Sequence, residues 1–522
     1  MEIKFYGHAC IYIKTPQISI VTDPWFSKTG AFLHSWFQFP DNTELDLTAI
    51  RKADYVILSH EHQDHFDLSF LKTINPKTKI IIPKYTDSYL LDTLNDNVDN
   101  EVIVADSLKR IKLNAEITFC PVVQSVPIWD DCTLVFETPV GTIVDVNDMK
   151  IISQDLEWIK SNFKIDYLFM QFSGANWHPY VYDYDHEKKV EIAQHRIINK
   201  FHYVRNTFLE SGADYLIPMA GPPCFLDDKH FELNFSDESI FPNQSDFYEF
   251  AKKEGFANKI FILLPGDTFN PNQDCAIINE KSLLHEAFSN RRKYLIDYKE
   301  RRREIISNYL SGIETPETIL LEKCKKYFEP LMNSSYFREK INGKMLLDIS
   351  SKLNEKIILD FSDQNTPIRS FQDDDFFYKL KVDAKFLNMI LEKRLTWEQL
   401  LLSLRFNASR KPDVYNEYLV IFLRFANKES YDAYELYEKR KSVFETFILE
   451  YEGTKYEVQK YCPHAMGNLS NGKIINECLV CPNHGWAFSL RDGSCLYNKS
   501  FIDIKKIDVV RLDLEIPYYP DD

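Results

Sequence analysis

Two loops near the C-terminus of this 522-residue chain each carry one cysteine and one histidine. The first loop contains Cys462 and His464, and the second contains Cys481 and His484, with sixteen residues, 465–480, between them. A zinc finger of the same composition usually places both cysteines in one half and both histidines in the other. The mixed halves therefore argue against a zinc finger. They require a fold in which two separate loops meet at one centre.

This ligand set has the composition that a [2Fe–2S] cluster needs when one iron is bound by two thiolates and the other by two imidazoles. Gly467 and Gly485 follow the two loops closely. Glycine allows the backbone to approach the cluster, where N–H groups can point at the sulfurs. We therefore predict that Cys462, His464, Cys481 and His484 bind a [2Fe–2S] cluster.

Residues 481–493, Cys-Pro-Asn-His-Gly-Trp-Ala-Phe-Ser-Leu-Arg-Asp-Gly, resemble the second cluster loop of Rieske ferredoxins and oxygenases. Cys478 and Cys495 lie outside the positions of the disulfide found in respiratory Rieske proteins, so the module resembles the oxygenase type. Ten cysteines in the whole chain are too few for a disulfide scaffold.

A second metal-binding pattern, His60-x-His62-x-Asp64-His65, follows the apolar run 55–58. Two histidines two residues apart can share one metal, and Asp64 with His65 can reach a second metal nearby. Imidazole and carboxylate ligands suit zinc, iron or manganese. The sequence therefore predicts a mononuclear or dinuclear metal site after an N-terminal strand.

This pattern resembles the metallo-β-lactamase superfamily, as do residues 7–10 and 22–25 near the start of the chain. The resemblance implies an αββα sandwich with the metals at one edge and with His8 close to them. It also implies a metal-bridging aspartate, for which Asp148 is the first choice and Asp145 the alternative. The family's further histidine is missing from residues 126–132, and either Asp130 or His178 could replace it.

Length and charge limit the function classes. At roughly 100–200 residues per domain, 522 residues suggest three or four domains. A formal net charge of −16 repels phosphate backbones, so nucleic acid is not an expected partner. No apolar run approaches ~18 residues and the N-terminus lacks a signal-peptide pattern, so we expect a cytoplasmic protein without a membrane partner.

We predict the α/β fold class: an αββα metallo-β-lactamase-like sandwich, a helical middle segment and a small all-β Rieske domain. Short β-branched runs alternate with helical patterns in residues 1–285, which form the metal-binding catalytic domain. Charged and leucine-rich helical patterns then dominate residues 286–425, which we expect to be mainly helical and to pack on that domain. Residues 426–522 form the cluster domain.

Together the two sites resemble the CMP-N-acetylneuraminate hydroxylase family, which combines both modules. The likeness extends to residues 265–268 and 395–415. Two departures are that the Rieske module comes last here and that the histidine near residue 126 is missing. The resemblance implies an iron-dependent monooxygenase in which the cluster passes electrons to a non-haem iron, with His8 and Asp64 in catalytic roles.

The implied partners are O2, a small-molecule substrate, and a ferredoxin or cytochrome b5-like electron donor with its reductase. The substrate could be an N-acyl amino sugar nucleotide or an amine, oxygenated at carbon or nitrogen. The sequence leaves a homo-oligomer open. The alternative is a lactonase- or phosphodiesterase-like hydrolase with zinc in the N-terminal site and a redox-sensing Rieske domain. A pure electron carrier is a third interpretation.

Overall fold

Short β-branched runs in the first 290 residues form the strands of two facing sheets. The computed structural model describes residues 1–125, 130–269, 273–440, 445–463, 467–482, 485–496, 502 and 504–507. The strands of this N-terminal domain are β1 Glu2–Gly7, β2 Cys10–Lys14, β3 Ser19–Thr22, β4 Tyr55–Ile57, β5 Lys79–Pro83, β6 Val102–Ala105, β7 Ile111–Lys112, β8 Thr118–Val123, β9 Cys132–Thr138, β10 Gly141–Asn147, β11 Tyr167–Gln171, β12 Tyr215–Met219 and β13 Thr268–Phe269. Its helices are α1 Leu68–Leu71, α2 Tyr89–Asn97, α3 Ser153–Asn162, α4 His186–Ser211, α5 Gln244–Lys253, α6 Cys275–Leu283, α7 Glu286–Ser289 and α8 Arg291–Gly312.

The order of strands in the two sheets places several strand ends at one edge. Within the described residues, the first sheet runs β13-β1-β2-β3-β4-β5-β6 and the second runs β12-β11-β10-β9-β8-β7. Strands β3 to β6 are parallel, and so are β10 to β12. The carboxyl ends of neighbouring parallel strands lie at the same edge of a sheet, so the loops that follow them lie close together.

Apolar side chains fill the space between the sheets and also cover their outer faces. Ile11 and Ile57 of the first sheet pack with Phe136 and Phe169 of the second, and all four are fully buried. Separate apolar clusters pack α2 on the outside of the first sheet and α4 on the outside of the second. Strands covered on both faces read as continuous apolar runs, as residues 79–83 do. The prediction of an αββα sandwich is confirmed.

The middle domain, residues 321–440, differs from the expected mainly helical segment because a sheet lies at its centre. Its strands are β14 Lys344–Ser350, β15 Glu355–Asp360, β16 Ile368–Ser370, β17 Tyr378–Asp383 and β18 Phe406–Arg410, in the order β16-β15-β14-β17-β18. Its helices are α9 Leu321–Met332, α10 Ser335–Ile341, α11 Ala384–Leu391, α12 Trp397–Leu402, α13 Glu417–Phe425 and α14 Lys428–Arg440. The strands alternate buried and polar positions, as in β17, and this pattern is weaker in sequence than the leucine-rich helices beside it.

The N-terminal and middle domains share one apolar core. Trp25, Phe32 and Trp36 of the N-terminal domain belong to the same buried cluster as Phe328 and Trp397 of the middle domain. A shared core of this kind holds the two domains in a defined orientation, because separating them would expose large aromatic surfaces. The middle domain is therefore a fixed neighbour of the N-terminal sheet edge.

The C-terminal domain is built from short strands, as expected. They are β19 Thr446–Tyr451, β20 Thr454–Gln459, β21 Lys473–Ile475, β22 Cys478–Val480, β23 Ala487–Ser489 and β24 Ile504–Ile507, in two sheets of three strands within the described residues. The strand predicted at 509–514 lies outside the described residues. Helix α14 lies beyond the expected boundary at residue 425 and buries Tyr431 and Tyr434 in the core of the middle domain.

Short 3-10 helices lie at Ile50–Lys52, Phe231–Asn234, Ala257–Lys259 and Leu469–Asn471. Over the part of the chain that the structure describes, no helix combines the length and the apolar character needed to span a bilayer.

Leu380 lies at the centre of the middle sheet with no exposed surface, whereas its neighbour Lys381 is exposed. We expect Leu380→Ala to lower the free energy of unfolding by about 2–5 kcal/mol because it leaves a cavity in the shared core. The matched variant Lys381→Ala should change it by no more than about 0.5 kcal/mol. Denaturant unfolding measures both, and equal effects would contradict the assigned register.

Candidate metal centre and cluster-binding loops

The predicted metal-binding motif lies at the edge of the sandwich where parallel strands end. Strand β4 ends at Ile57, and the motif residues 60–65 follow it directly. Strand β3, its parallel neighbour, is followed by Asp23, and β10 of the facing sheet is followed by Asp148. The topology therefore brings residues that are far apart in sequence to one place.

A buried carboxylate anchors the motif loop. Asp23 has no exposed surface and accepts hydrogen bonds from the backbone N–H of Ser59 at 2.7 Å and from its hydroxyl at 2.5 Å. The Nδ1 atom of His65 lies 2.9 Å from the same carboxylate. This contact fixes the orientation of the His65 ring and leaves its Nε2 atom directed toward the other motif residues.

Five of the predicted ligands converge at this edge. The Nε2 atoms of His60 and His65 each lie 3.7 Å from Asp148 Oδ1, and His65 Nε2 lies 3.9 Å from Asp64 Oδ2. His62 Nδ1 lies 2.7 Å from His60 Nε2. The loop after β4 and the loop after β10 thus present nitrogen and oxygen atoms to a common centre.

These atoms fit a metal ion. His65 Nε2, Asp64 Oδ1 and Asp148 Oδ1 are buried and have no hydrogen-bond partner, which is rare for polar atoms in a protein interior. Ligand atoms lie within 4.8 Å of one another in two groups that share His65: one with His60 and Asp148, the other with Asp64 and His8. A donor set of imidazole and carboxylate suits zinc or iron, in one or two overlapping positions.

His8 lies beside this centre, as the sequence resemblance implied. Its Nε2 atom is 3.0 Å from Asp64 Oδ2, and its ring packs edge-on against Trp25 with the ring centres 4.8 Å apart. The residue forms the turn between β1 and β2, where its φ of 51° is unusual for a residue other than glycine. In this position His8 can orient the Asp64 carboxylate or exchange a proton with it.

The carboxylates make the centre favourable for positive charge. Burial alone would lower the pKa of the His62 imidazole, but Glu398, Glu61 and Asp148 outweigh it and raise that pKa to about 10. Burial likewise opposes the charged form of Asp148, yet the surrounding histidines, His60 first, hold its pKa below the usual value. Carboxylates that stabilise a protonated His62 can equally stabilise a bound cation.

The structure also decides where the alternative residues lie. The Asp145 carboxylate is buried and accepts a hydrogen bond from the backbone N–H of Asn147, while Asp148 faces the histidines. His178 is not brought to the centre: its Nδ1 atom lies 3.4 Å from the Arg196 guanidinium, and its ring packs against Tyr182. A neighbouring cation disfavours a metal there.

Three residues near the centre were not assigned a role from the sequence. They are Asp23, Asp131, whose Oδ1 atom lies 3.3 Å from His60 Nδ1, and Glu398, whose Oε1 atom lies 3.0 Å from His62 Nε2. Asp23 directly follows β3 and Asp131 directly precedes β9. Their positions beside strands could have indicated them as candidate site residues. Glu398 belongs to the middle domain, and no local signal in the sequence connects it with residue 62.

The cluster-binding loops are described in part. Cys462 and Cys481 are each 1% exposed, and their backbone N–H groups donate to Gly467 at 2.8 Å and Trp486 at 2.7 Å. These bonds close the two loops. His464 and His484 lie outside the described residues, so their roles as ligands remain predictions. Cys478 and Cys495 are both buried, each with 8% of its surface exposed.

The different surroundings of Asp148 and His178 lead to a matched pair of variants. We expect Asp148→Asn to weaken metal binding at the N-terminal site, because the variant removes a charged ligand. The loss of affinity should exceed the roughly 10–100-fold that is typical when a residue hydrogen-bonded to a metal ligand is lost. His178→Ala should leave the metal content unchanged. Metal analysis after competition with a chelator measures both, and metal loss on changing His178 would contradict the proposed ligand set.

Family models divide the chain into three parts. Residues 2–124 match a beta-lactamase superfamily domain, residues 320–440 match an Rv3818-like, SCP2-like domain, and residues 424–507 match a Rieske [2Fe-2S] domain. The last match confirms the predicted [2Fe–2S] cluster as the cofactor of the C-terminal domain. The SCP2-like model covers the middle domain.

The chain is similar over its whole length to Rv3818 of Mycobacterium tuberculosis, described as a Rieske 2Fe-2S iron-sulfur protein, with 30% identity over 95% of this chain and 98% of that one. A cytidine monophosphate-N-acetylneuraminic acid hydroxylase of Asterias rubens is 28% identical over 26% of this chain and 21% of its own. CmlA, a diiron beta-hydroxylase from Streptomyces venezuelae, shares 14% identity over 52% of this chain and 54% of its own, with a TM-score of 0.34, too low to carry an argument. With its metallo-β-lactamase-like and SCP2-like domains preceding the cluster domain, the chain belongs to the family of Rieske 2Fe-2S iron-sulfur proteins that includes Rv3818.

Proposed function

We propose that this protein is an oxidoreductase, an iron-dependent oxygenase in which the Rieske cluster passes electrons to a non-haem iron at the N-terminal centre. The product would be a small molecule that has gained one oxygen atom from O2. The observation that carries the proposal is that the second cluster loop lies directly against the helix that borders the metal centre in the same chain.

The contact between the cluster loop and α4 is close. A Cβ atom added at Gly485 would lie 2.2 Å from the side-chain nitrogen of Asn199, so any other residue would require that side chain to move. The next residue of the loop, Trp486, packs edge-on against Tyr415 of the middle domain with ring centres 6.1 Å apart. Gly485 and Trp486 thus lie where α4 meets the middle domain.

The next residue of α4 contacts the second sheet near the end of β11. Lys200 donates a hydrogen bond to Gln171, which ends β11 beside the loop that carries Asp148. Burial and the neighbouring Lys150 lower the pKa of Lys200 to about 7, while the carboxylates of Asp148 and Asp131 oppose that shift. An α-helix with its side chains is about 10–12 Å across, and in this proposal the two centres would lie on either side of α4.

A one-electron carrier beside a metal centre favours redox chemistry over hydrolysis. Hydrolysis at a metal site needs an activated water and no electrons. Iron at the N-terminal centre would supply O2 binding and activation with electrons that the cluster delivers singly. The similarity to a hydroxylase of Asterias rubens over a quarter of the chain agrees with this assignment.

Different residues of the chain would bind the metal, position the motif loop, carry a proton and bind the cluster. His60, His62, Asp64, His65 and Asp148 would hold the metal, and the contacts of Asp23 with Ser59 and His65 would keep the motif loop in place. His8, 3.0 Å from Asp64, would orient that carboxylate and carry a proton to or from it. In the C-terminal domain, Cys462, His464, Cys481 and His484 would hold the cluster.

The substrate class and the donor belong to the same proposal. We propose a small molecule, either an N-acyl amino sugar nucleotide or an amine, and a ferredoxin or cytochrome b5-like donor with its reductase. A nucleic acid is not expected, because the chain carries a net charge of −16.

Metal analysis of the purified protein, followed by turnover, tests the proposal. We expect iron in the N-terminal centre in addition to the cluster. With a chemical reductant and a panel of amino-sugar nucleotides and amines, O2 uptake should accompany a product that is heavier by one oxygen atom. Zinc in the N-terminal centre together with hydrolysis of a lactone or phosphodiester would support the alternative hydrolase and contradict the oxygenase.

Two inactive variants distinguish transfer within one chain from transfer between chains. Cys462→Ser should lose the visible bands of the cluster and keep the N-terminal metal, whereas His62→Ala should keep a reducible cluster and lose turnover. Because the cluster loop lies against α4 of its own chain, mixing the two variants should not restore activity. Recovery in the mixture to more than a few per cent of the wild-type rate would show that electrons cross between chains.

A further inference from the structure

A carboxylate of the middle domain reaches into the N-terminal metal centre. Glu398 lies in the first turn of α12, whose start is fixed by a capping box in which Thr396 and Gln399 bond to each other's backbone. The side chain of Glu398 is only 13% exposed. Its Oε1 atom lies 3.0 Å from His62 Nε2, the ring nitrogen that faces away from the other motif residues.

The two nitrogens of His62 therefore have different neighbours. Nδ1 lies on the side of the metal centre, 2.7 Å from His60 Nε2, and Nε2 lies on the side of Glu398. A histidine that binds a metal through one nitrogen commonly contacts a carboxylate through the other, which fixes the ring and makes it a stronger ligand. Glu398 occupies that outer position for His62.

The charge beside Glu398 argues against a role as a direct metal ligand. Arg424 Nε of α13 lies 2.6 Å from the same Oε1 atom, and the side chain of Arg424 is 5% exposed. The guanidinium keeps its charge at all accessible pH values and would repel a cation bound to that oxygen. Glu61 lies nearby, because one ligand atom of each of Glu61, His62 and Glu398 lies within 4.8 Å of the other two. Glu398 is therefore held between a permanent cation and an imidazole.

We infer that the SCP2-like domain contributes residues to the metal centre. Glu398 positions His62, and Arg424 holds Glu398 in place. This inference rests on the proposed function for the identity of the metal. It assigns the middle domain a role in setting metal affinity and reduction potential. Unlike a binding module joined to an independent catalytic domain, it supplies a side chain without which the centre is incomplete.

The test is the variant Glu398→Gln, which keeps the size of the side chain and removes its charge. Metal affinity is measured with Zn²⁺ and Fe²⁺ by chelator competition on the full-length protein. We expect affinity to fall about 10–100-fold, as is usual when an outer partner of a metal-binding histidine is lost. The potential of iron bound at this centre should rise, because a weaker donor stabilises the ferric state less. The potential of the Rieske cluster should not change.

Glu392→Gln is the matched control. Glu392 lies in the same domain and its ion pairs with Lys323 and Arg394 are at the surface. This variant should retain the wild-type affinity and potential.

A second variant separates positioning from folding. Glu398→Gln leaves Arg424 buried beside a neutral partner, and that alone can destabilise the protein. Replacing both residues, Glu398→Gln with Arg424→Met, also removes the buried cation and should recover the unfolding midpoint while metal affinity stays low. If affinity recovers together with stability, the role of Glu398 is structural and the inference is overturned.

Failure of this inference can be told apart from failure of the proposed function. A wild-type protein that binds metal at the N-terminal centre, with Glu398→Gln within twofold of its affinity and with an unchanged potential, would overturn the inference and leave the oxygenase proposal standing. A wild-type centre that binds neither Zn²⁺ nor Fe²⁺ would overturn the proposed function itself.

Discussion

Several ionisable side chains are buried together at one edge of the sandwich, and burying charge is costly unless opposite charge compensates it. His60, Asp64 and His65 are each less than 5% exposed, and the Oδ1 atoms of Asp64 and Asp148 have no hydrogen-bond partner. Such a cluster persists only if a cation, a proton or a metal balances it. The positions of the strand ends, of Asp23 and of Glu398 follow from this requirement.

The surroundings of the cluster meet that requirement from two domains. Asp23 holds the motif loop from within the N-terminal sheet, through the backbone of Ser59 and the ring of His65. Glu398 approaches His62 from the middle domain, and the aromatic core shared by Trp25 and Trp397 keeps that domain in place. Packing energy spread over many residues thus fixes the position of a single carboxylate, and rigid support of this kind defines ligand geometry in metal sites.

The contact between the second cluster loop and α4 connects the cluster domain with the N-terminal domain in the proposed function. Asn199 faces Gly485, and the adjacent Lys200 faces the edge of the sheet that carries Asp148. In the proposed function, α4 would border both centres and electrons would have a short route within the chain. The order of the domains in sequence is of little consequence for this route, since only the spatial contact matters.

The sequence by itself determined the cluster cofactor and the fold of the two end domains, and it predicted the ligands. Residues 60–65 and the paired loops at 462–464 and 481–484 have spacings that few other structures require, and β-branched runs such as 79–83 indicate buried strands. The middle sheet was not foreseen, because short strands of alternating polarity, such as β17, give a weaker signal than the helices beside them.

Only the tertiary structure decided which residues complete the centre. It turned Asp148, and not Asp145, toward the histidines. It placed His178 beside Arg196 and away from the predicted ligands. It also brought Glu398 to His62 across more than three hundred residues of chain. Local spacing determines which side chains share a loop or a helix face. Contacts between distant elements depend on how sheets and domains pack, and that information is spread over the whole apolar core.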